Sequence, residues 1–228
     1  MFIVTTYITY IAIHVALTLM YKVGSLYTNS VRFEQQTKYG YLPTLLINDG
    51  ILISVHLMVS YYGVYGLLFH QYQYTYNIAD ALIASYIYDI TCILHGKKMP
   101  MDTAVHHVFA TIVILRGYPI SNGFYILWGG GVGEISSIPL DIIYALNYLN
   151  INNGWFKTYM KYLFACLFMI IRNVSWSIMY FNYWIYEVPP RQYPITNLFV
   201  FALIVALQYY WGVLLVRKGI AASRKKKM

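Results

Sequence analysis

Apolar residues run along this chain in long blocks separated by short polar connections. Blocks of helical length fall at about 2–21, 44–69, 78–95, 103–117, 121–147, 158–184 and 195–216. A bilayer core takes about 20 apolar residues per helix, so 103–117 is short. It is expected as a tilted or partly re-entrant helix buried by its neighbours, because backbone facing lipid must be fully hydrogen-bonded. The pattern predicts an all-α fold: a polytopic transmembrane helix bundle of seven spans, with six as the alternative, forming one domain over 1–228. The first block carries neither a basic leading region nor a small-residue cleavage site, and reads as a span rather than a cleaved signal.

Composition narrows the class. The chain is 59% hydrophobic and 11% charged, with a mean hydropathy of +0.52, more apolar surface than a soluble domain of this size can hide. Cys92 and Cys166 both fall in predicted spans, which argues against a disulfide framework and a cysteine metal site. The formal charge of +8 would suggest nucleic acid in a soluble protein. Here the basic residues gather at span ends, so no nucleic-acid partner is expected and membrane orientation explains them better. The 26 tyrosines read as interfacial anchors and carry no site assignment.

The same charges set an expected topology. With a cytosolic C-terminus, one side holds Lys22, Arg32, Lys38, Lys97, Lys98, Lys157, Lys161, Arg217, Lys218, Arg224, Lys225, Lys226 and Lys227. The other holds Arg116 and Arg191, while Arg172 lies inside a span. This positive-inside asymmetry arises only with an odd number of spans and the N-terminus outside or lumenal. Residues 217–228 then form a basic cytosolic tail. Its end, Lys225-Lys226-Lys227-Met228, resembles a dilysine retrieval signal, which implies coat-protein recognition and residence in the endoplasmic reticulum or a related endomembrane. A basic tail drawn to anionic headgroups reads equally well.

Ionisable groups are costly in hydrocarbon, so each one inside a span is a site candidate. They are Asp49 and His56 in the second span, Asp89 in the third, His106 and His107 opening the fourth, Glu134 and Asp141 in the fifth, and Arg172 in the sixth. His14, alone on an apolar stretch, reads as a structural histidine. At about 1.5 Å per residue, His106 and His107 lie about 6–8 Å inside the cytosolic face. Asp89 lies about two turns from the end of its span, and Glu134, Ser137 and Asp141 share one helical face. Two imidazoles and several carboxyls therefore converge in the cytosolic half of the bundle.

That set suits general-base or nucleophilic acyl chemistry, with a carboxylate fixing the imidazole tautomer. On that chemistry, His106 or His107 is base or acyl carrier, Asp89 and Glu134 orient or stabilise, and Asp141 assists. Asp49, Ser137 and Arg172 line the substrate side. Lys97 and Lys98 flank the cytosolic mouth, where they would meet substrate phosphates as point charges; serving as topology determinants alone is the other reading. No metal and no permanently bound cofactor are expected: the H-x-x-x-H and H-x-x-H-H boxes of di-iron lipid hydroxylases are absent, and adjacent histidines chelate poorly on one helix. Membrane lipids are the expected partners, with a homo-oligomer allowed. Gly129, Gly130, Gly131 and Gly133 are expected to permit close helix packing. The sequon at Asn173-Val174-Ser175 lies in a span, out of reach of glycosylation.

The motifs together resemble the TLC-domain family (TRAM–LAG1–CLN8). The elements that carry the resemblance are YIYD with Asp89, HGKKMPMD, the pair His106-His107, and GVGEISS with Glu134. It covers most of the chain and is densest over 86–146. It implies a six- to eight-helix bundle around a lipid-filled cavity and acyl-CoA-dependent acyl transfer by the histidine pair. Ceramide synthases of this family carry an HDxxD element where this chain has Gly133, Glu134 and Ser137. The arrangement is more similar to the smaller TLC-domain-containing proteins. Two further functions remain in play from sequence: a non-enzymatic lipid-binding, lipid-sensing or trafficking protein, and a metal-dependent lipid hydrolase.

Overall fold

The computed structural model describes residues 2–28, 36–37, 40–95, 97–117, 126–151, 154–182 and 195–225. They form seven helical rods. The first four are α1 (Phe2–Thr28), α2 (Leu42–Leu68), α3 (Tyr74–Thr91), extended by a 3-10 turn Cys92–His95, and α4 (Met101–Gly117). The fifth is irregular: a π-helical turn Ile126–Gly131, a 3-10 turn Val132–Ser136, then α5 (Ser137–Tyr148). The sixth joins α6 (Trp155–Leu167) to α7 (Trp176–Asn182) through a π-helical stretch Phe168–Ser175. The seventh is α8 (Ile195–Lys225). A two-residue antiparallel pair, Gln36–Thr37 with Gly40–Tyr41, precedes α2.

Among the described residues, four helices are long and apolar enough to cross a membrane: Ile3–Met20, Pro43–Leu68, Trp155–Asn182 and Phe199–Ala221. The other three rods fall short for reasons of chemistry. Helix α3 carries Asp80 and Asp89, α4 is 17 residues long, and the fifth rod is broken into short turns. Several helices also outrun their apolar blocks. Helix α1 continues to Thr28 and α8 to Lys225; in α8 the Ala, Lys and Arg beyond the apolar block still favour helix. The tail expected from residue 217 is thus helical through Lys225. Lys226, Lys227 and Met228 lie outside the described residues, as do 121–125, 183–184 and Arg191.

Helix α3 sits at the centre, with Ile78, Leu82, Ala84 and Tyr88 fully buried. Helix α2 packs on α1, α3, α5 and the irregular turns before α5, while α4 bridges α3 and α8. Large apolar side chains remain exposed on the outer rods, among them Val4, Ile8, Leu57, Leu68, Ile170, Val174, Phe199 and Val213. In water such a belt would be an aggregation surface, whereas in hydrocarbon it is the lipid-facing side.

One crossing fixes the interior. A Cβ built on Gly131 would lie 2.5 Å from the Cα of Gly63, and one on Gly63 would lie 2.6 Å from the Cα of Gly131. Backbone meets backbone there, an approach that only glycine on both sides allows. His56 lies two turns before Gly63, so the crossing brings the Glu134 turn down onto that imidazole. Gly129 and Gly133 lie against Met179 and Trp176 of α7. Asn173 of the sequon is buried, its amide lying where a Cβ on Gly212 would be.

Candidate functional site

Short-range irregularity positions the first half of the site. The 3-10 turn of the fifth rod presents Glu134 and Ser136, and α5 opens with Ser137. The π-helical stretch of the sixth rod presents Arg172 opposite them. Such turns recur at functional sites because they redirect a side chain out of the regular helical register. Arg172 donates from Nη2 to Glu134 Oε2 at 2.8 Å and to Ser137 Oγ at 2.7 Å, and from Nε to Ser136 Oγ at 2.8 Å. Ser137 Oγ donates to Glu134 Oε2 at 2.5 Å, and the Tyr86 hydroxyl donates to Glu134 Oε1 at 3.1 Å. Both oxygens of Glu134 are therefore engaged inside the bundle.

His56 joins the fifth rod to α2. Its Nδ1 lies 2.7 Å from Asp141 Oδ2, and its Nε2 lies 3.5 Å from Glu134 Oε2. Asp141 and Glu134, both on the fifth rod, thus address the two ring nitrogens of one imidazole. That imidazole belongs to neither member of the His106-His107 pair. Sequence reasoning noted His56 as an intramembrane histidine but left it out of the site.

The second half surrounds the histidine pair on α4. The His107 ring stacks on the Tyr86 ring, with centroids 4.7 Å apart and planes at 18°. Its Nδ1 lies 3.4 Å from Asp89 Oδ2, an ion-pair distance without hydrogen-bond alignment. His106 is buried edge-on against Trp211 of α8, with centroids 5.3 Å apart, and its Nδ1 has no hydrogen-bond partner. Trp211 donates in turn to Asp102 Oδ2 at 2.6 Å, which ties the first turn of α4 to α8. Tyr86 is the bridge between the halves, since its ring contacts His107 and its hydroxyl bonds Glu134.

Toward the connection after α3, Lys97 pairs with Asp89 Oδ1 and donates to Asn48 Oδ1 at 2.6 Å. Burial alone would lower the pKa of its ammonium, but the Asp89 carboxylate, the hydrogen bond to it and nearby Asp49 outweigh burial and hold it above the ordinary value. Asp49 is buried, with Oδ2 unpartnered. Lys98 is exposed on the same connection. His14 Nδ1 lies 2.6 Å from the Tyr88 hydroxyl, far along the chain from the histidine pair.

The structure therefore gathers Asp89, His106, His107, Glu134, Asp141, Ser137, Arg172, Lys97 and Asp49 on the inner faces of α2 to α5, the sixth rod and the start of α4. Lys98 alone among the expected site residues stands outside. Tyr86, Ser136, Asn48 and Trp211 were not assigned from sequence. Tyr86 is three residues before Asp89 and so on its face, but 26 tyrosines hide one that matters. Among the described residues no three His, Cys, Asp or Glu side chains are grouped so as to hold a metal ion.

This arrangement of an acidic α3, a histidine pair opening α4 and an acidic fifth rod lies within one family match. The TLC-domain profile matches residues 45–217, most of the chain and all of the site, and the protein belongs to the TLC-domain family. No curated protein matches the chain at a significant level.

Proposed function

We propose that this is a multi-pass membrane protein of lipid metabolism that transfers an acyl group from acyl-CoA to a membrane lipid, with His106 and His107 as the reacting pair. The observation that carries this reading is the burial of two adjacent imidazoles between Asp89 and the Tyr86–Glu134 bond. In the transfer, a lipid hydroxyl or amine attacks the thioester carbonyl and gives its proton to an imidazole. The C–S bond breaks, and coenzyme A leaves as the thiol with that proton. Asp89 orients His107, and His106 serves as base or acyl carrier. Arg172 and the two serines hold Glu134 and, through it, Tyr86. Exposed Lys98 meets the coenzyme A phosphates as a point charge, whereas Lys97 is committed to Asp89. This reading takes all seven rods as spans, the N-terminus lumenal, the C-terminus cytosolic, and the membrane that of the endoplasmic reticulum or a related compartment.

One observation favours a second reading, a non-enzymatic lipid-binding, sensing or trafficking protein. Glu134 has both oxygens taken by structural partners, and Gly133 and Ser137 stand where the similar ceramide synthases carry ionisable groups. Lipidomics of cells expressing wild type, His106→Ala and His107→Ala at matched levels separates the two. Transfer requires the wild-type-dependent acylated lipid to fall about 100-fold in at least one variant, the usual scale for losing a general base. If both variants reproduce the wild-type lipid changes, acyl transfer by the histidine pair is wrong.

A further inference from the structure

Helix α1 packs on α2 and α3. Among its described side chains, Tyr10 and His14 are the buried ones, one turn apart on one face. Apolar side chains elsewhere on α1, such as Val4, Ile8, Val15 and Leu19, are exposed. An imidazole is a costly docking point for a helix that otherwise offers hydrocarbon. The TLC-domain match begins at residue 45, so α1 lies outside the matched region.

His14 is the outer end of a chain of polar contacts that runs to the histidine pair. Its Nδ1 lies 2.6 Å from the hydroxyl of Tyr88, a fully buried residue of α3. That hydroxyl also shares side-chain hydrogen bonds with Asn48 of α2 and with Cys92. Asn48 is fully buried; its Nδ2 donates to Cys92 Sγ at 3.6 Å, and its Oδ1 accepts from Lys97 Nζ at 2.6 Å. Lys97 pairs with Asp89 Oδ1, and Asp89 Oδ2 lies 3.4 Å from His107 Nδ1. The chain thus starts on α1, passes through α3, α2 and the connection after α3, and ends on α4.

Donor counting gives the chain a direction. An ammonium only donates, so Lys97 takes the Asn48 oxygen, and the Asn48 amino group is turned to Tyr88 and Cys92. Tyr88 accepts from that amide, and its one proton goes to His14 Nδ1, a better acceptor than a thiol sulfur. Removing that nitrogen leaves the Tyr88 proton with the thiol or with the Asn48 oxygen, where it competes with Lys97. We infer that His14 is a positioning residue for the reaction centre: through Tyr88 and Asn48 it holds Lys97 on Asp89, and so sets the carboxylate that faces His107. The inference rests on the acyl-transfer reading above and adds α1 to the machinery.

The test applies two readouts to the full chain as wild type, His14→Leu, His14→Asn and Tyr88→Phe. The first is the wild-type-dependent acylated lipid in cells at matched expression. The second is the ring-nitrogen NMR spectrum of histidine-labelled protein in detergent, where His107 is identified by the signals lost in His107→Gln. His14→Leu should lower the lipid product about tenfold, the scale of one buried hydrogen bond in a rate, and shift the His107 signals. Asn offers an acceptor oxygen near the place of Nδ1, so His14→Asn should recover the product to within about threefold and return those signals toward wild type. Tyr88→Phe cuts the chain at its second link and should match His14→Leu; it decides the question alone if His14→Leu does not fold. Unmoved His107 signals in the folded variants overturn the inference, and so does product at the wild-type level. His14→Asn behaving like His14→Leu also overturns it, since His14 then only packs α1 in place. If the histidine-pair variants show acyl transfer to be wrong, the His107 signals still judge the positioning by themselves.

Discussion

Replacing Arg172 by Leu is expected to destabilise the protein by about 3–5 kcal/mol, the scale for removing one partner of a buried ion pair. Arg172 and Glu134 are 5% and 4% exposed, and the guanidinium is the only full cation bonded to that carboxylate among the described residues. Without it, Glu134 keeps two hydroxyl donors and an imidazole nitrogen at 3.5 Å, too little to offset the loss of water. Cysteine chemistry offers the readout. Cys92 is buried and Cys166 exposed, so in a Cys166→Ser background maleimide labelling of Cys92 during heating reports unfolding. The labelling midpoint should fall on the order of 10 °C. The double variant Arg172→Leu with Glu134→Gln should recover much of that loss, because no uncompensated charge is left. An unchanged midpoint in the single variant would contradict the pairing, and a double variant no better than the single one would show that charge is not the cause.

A comparable loss, about 3 kcal/mol or more, is expected for Gly131→Val. Overpacking is often relieved by rotating a neighbouring side chain. Here the neighbour is the Cα of Gly63, 2.5 Å from where the new Cβ would stand. The two rods must separate by about 1 Å to reach ordinary contact distance, which stretches the reach from His56 to Glu134. Gly50→Ala is the control, since nothing lies within 4 Å of a Cβ there and a helical Gly→Ala change tends to stabilise. The same labelling assay should show Gly131→Val melting well below wild type and Gly50→Ala at or slightly above it. If the two variants melt alike, the glycine crossing does not hold the bundle together.

The helical class and most of the site were readable because they follow from composition along the chain. Apolar block length gave the rods, and the cost of ionisable groups in hydrocarbon pointed to the interior positions. Partner choice was not readable. Asp141 faces His56 rather than the histidine pair because of how α2 crosses the fifth rod, and that depends on two glycines 68 residues apart (131 − 63). Nor could periodicity reveal the π and 3-10 turns. They supply both ends of the Glu134–Arg172 pair, and an even 3.6-residue repeat averages them away.

The pairing pattern also bears on how the chain is made. Ribosomes deliver Glu134 38 residues ahead of Arg172, and His56 85 residues ahead of Asp141. During synthesis, each first partner enters the membrane before the group that satisfies it exists. An acidic side chain at mid-membrane costs about 2.5–3.5 kcal/mol on insertion scales. The early rods are therefore expected to stay incompletely satisfied until the sixth arrives. Truncations ending before Arg172 should therefore turn over faster than the full chain, which pulse-chase labelling would measure.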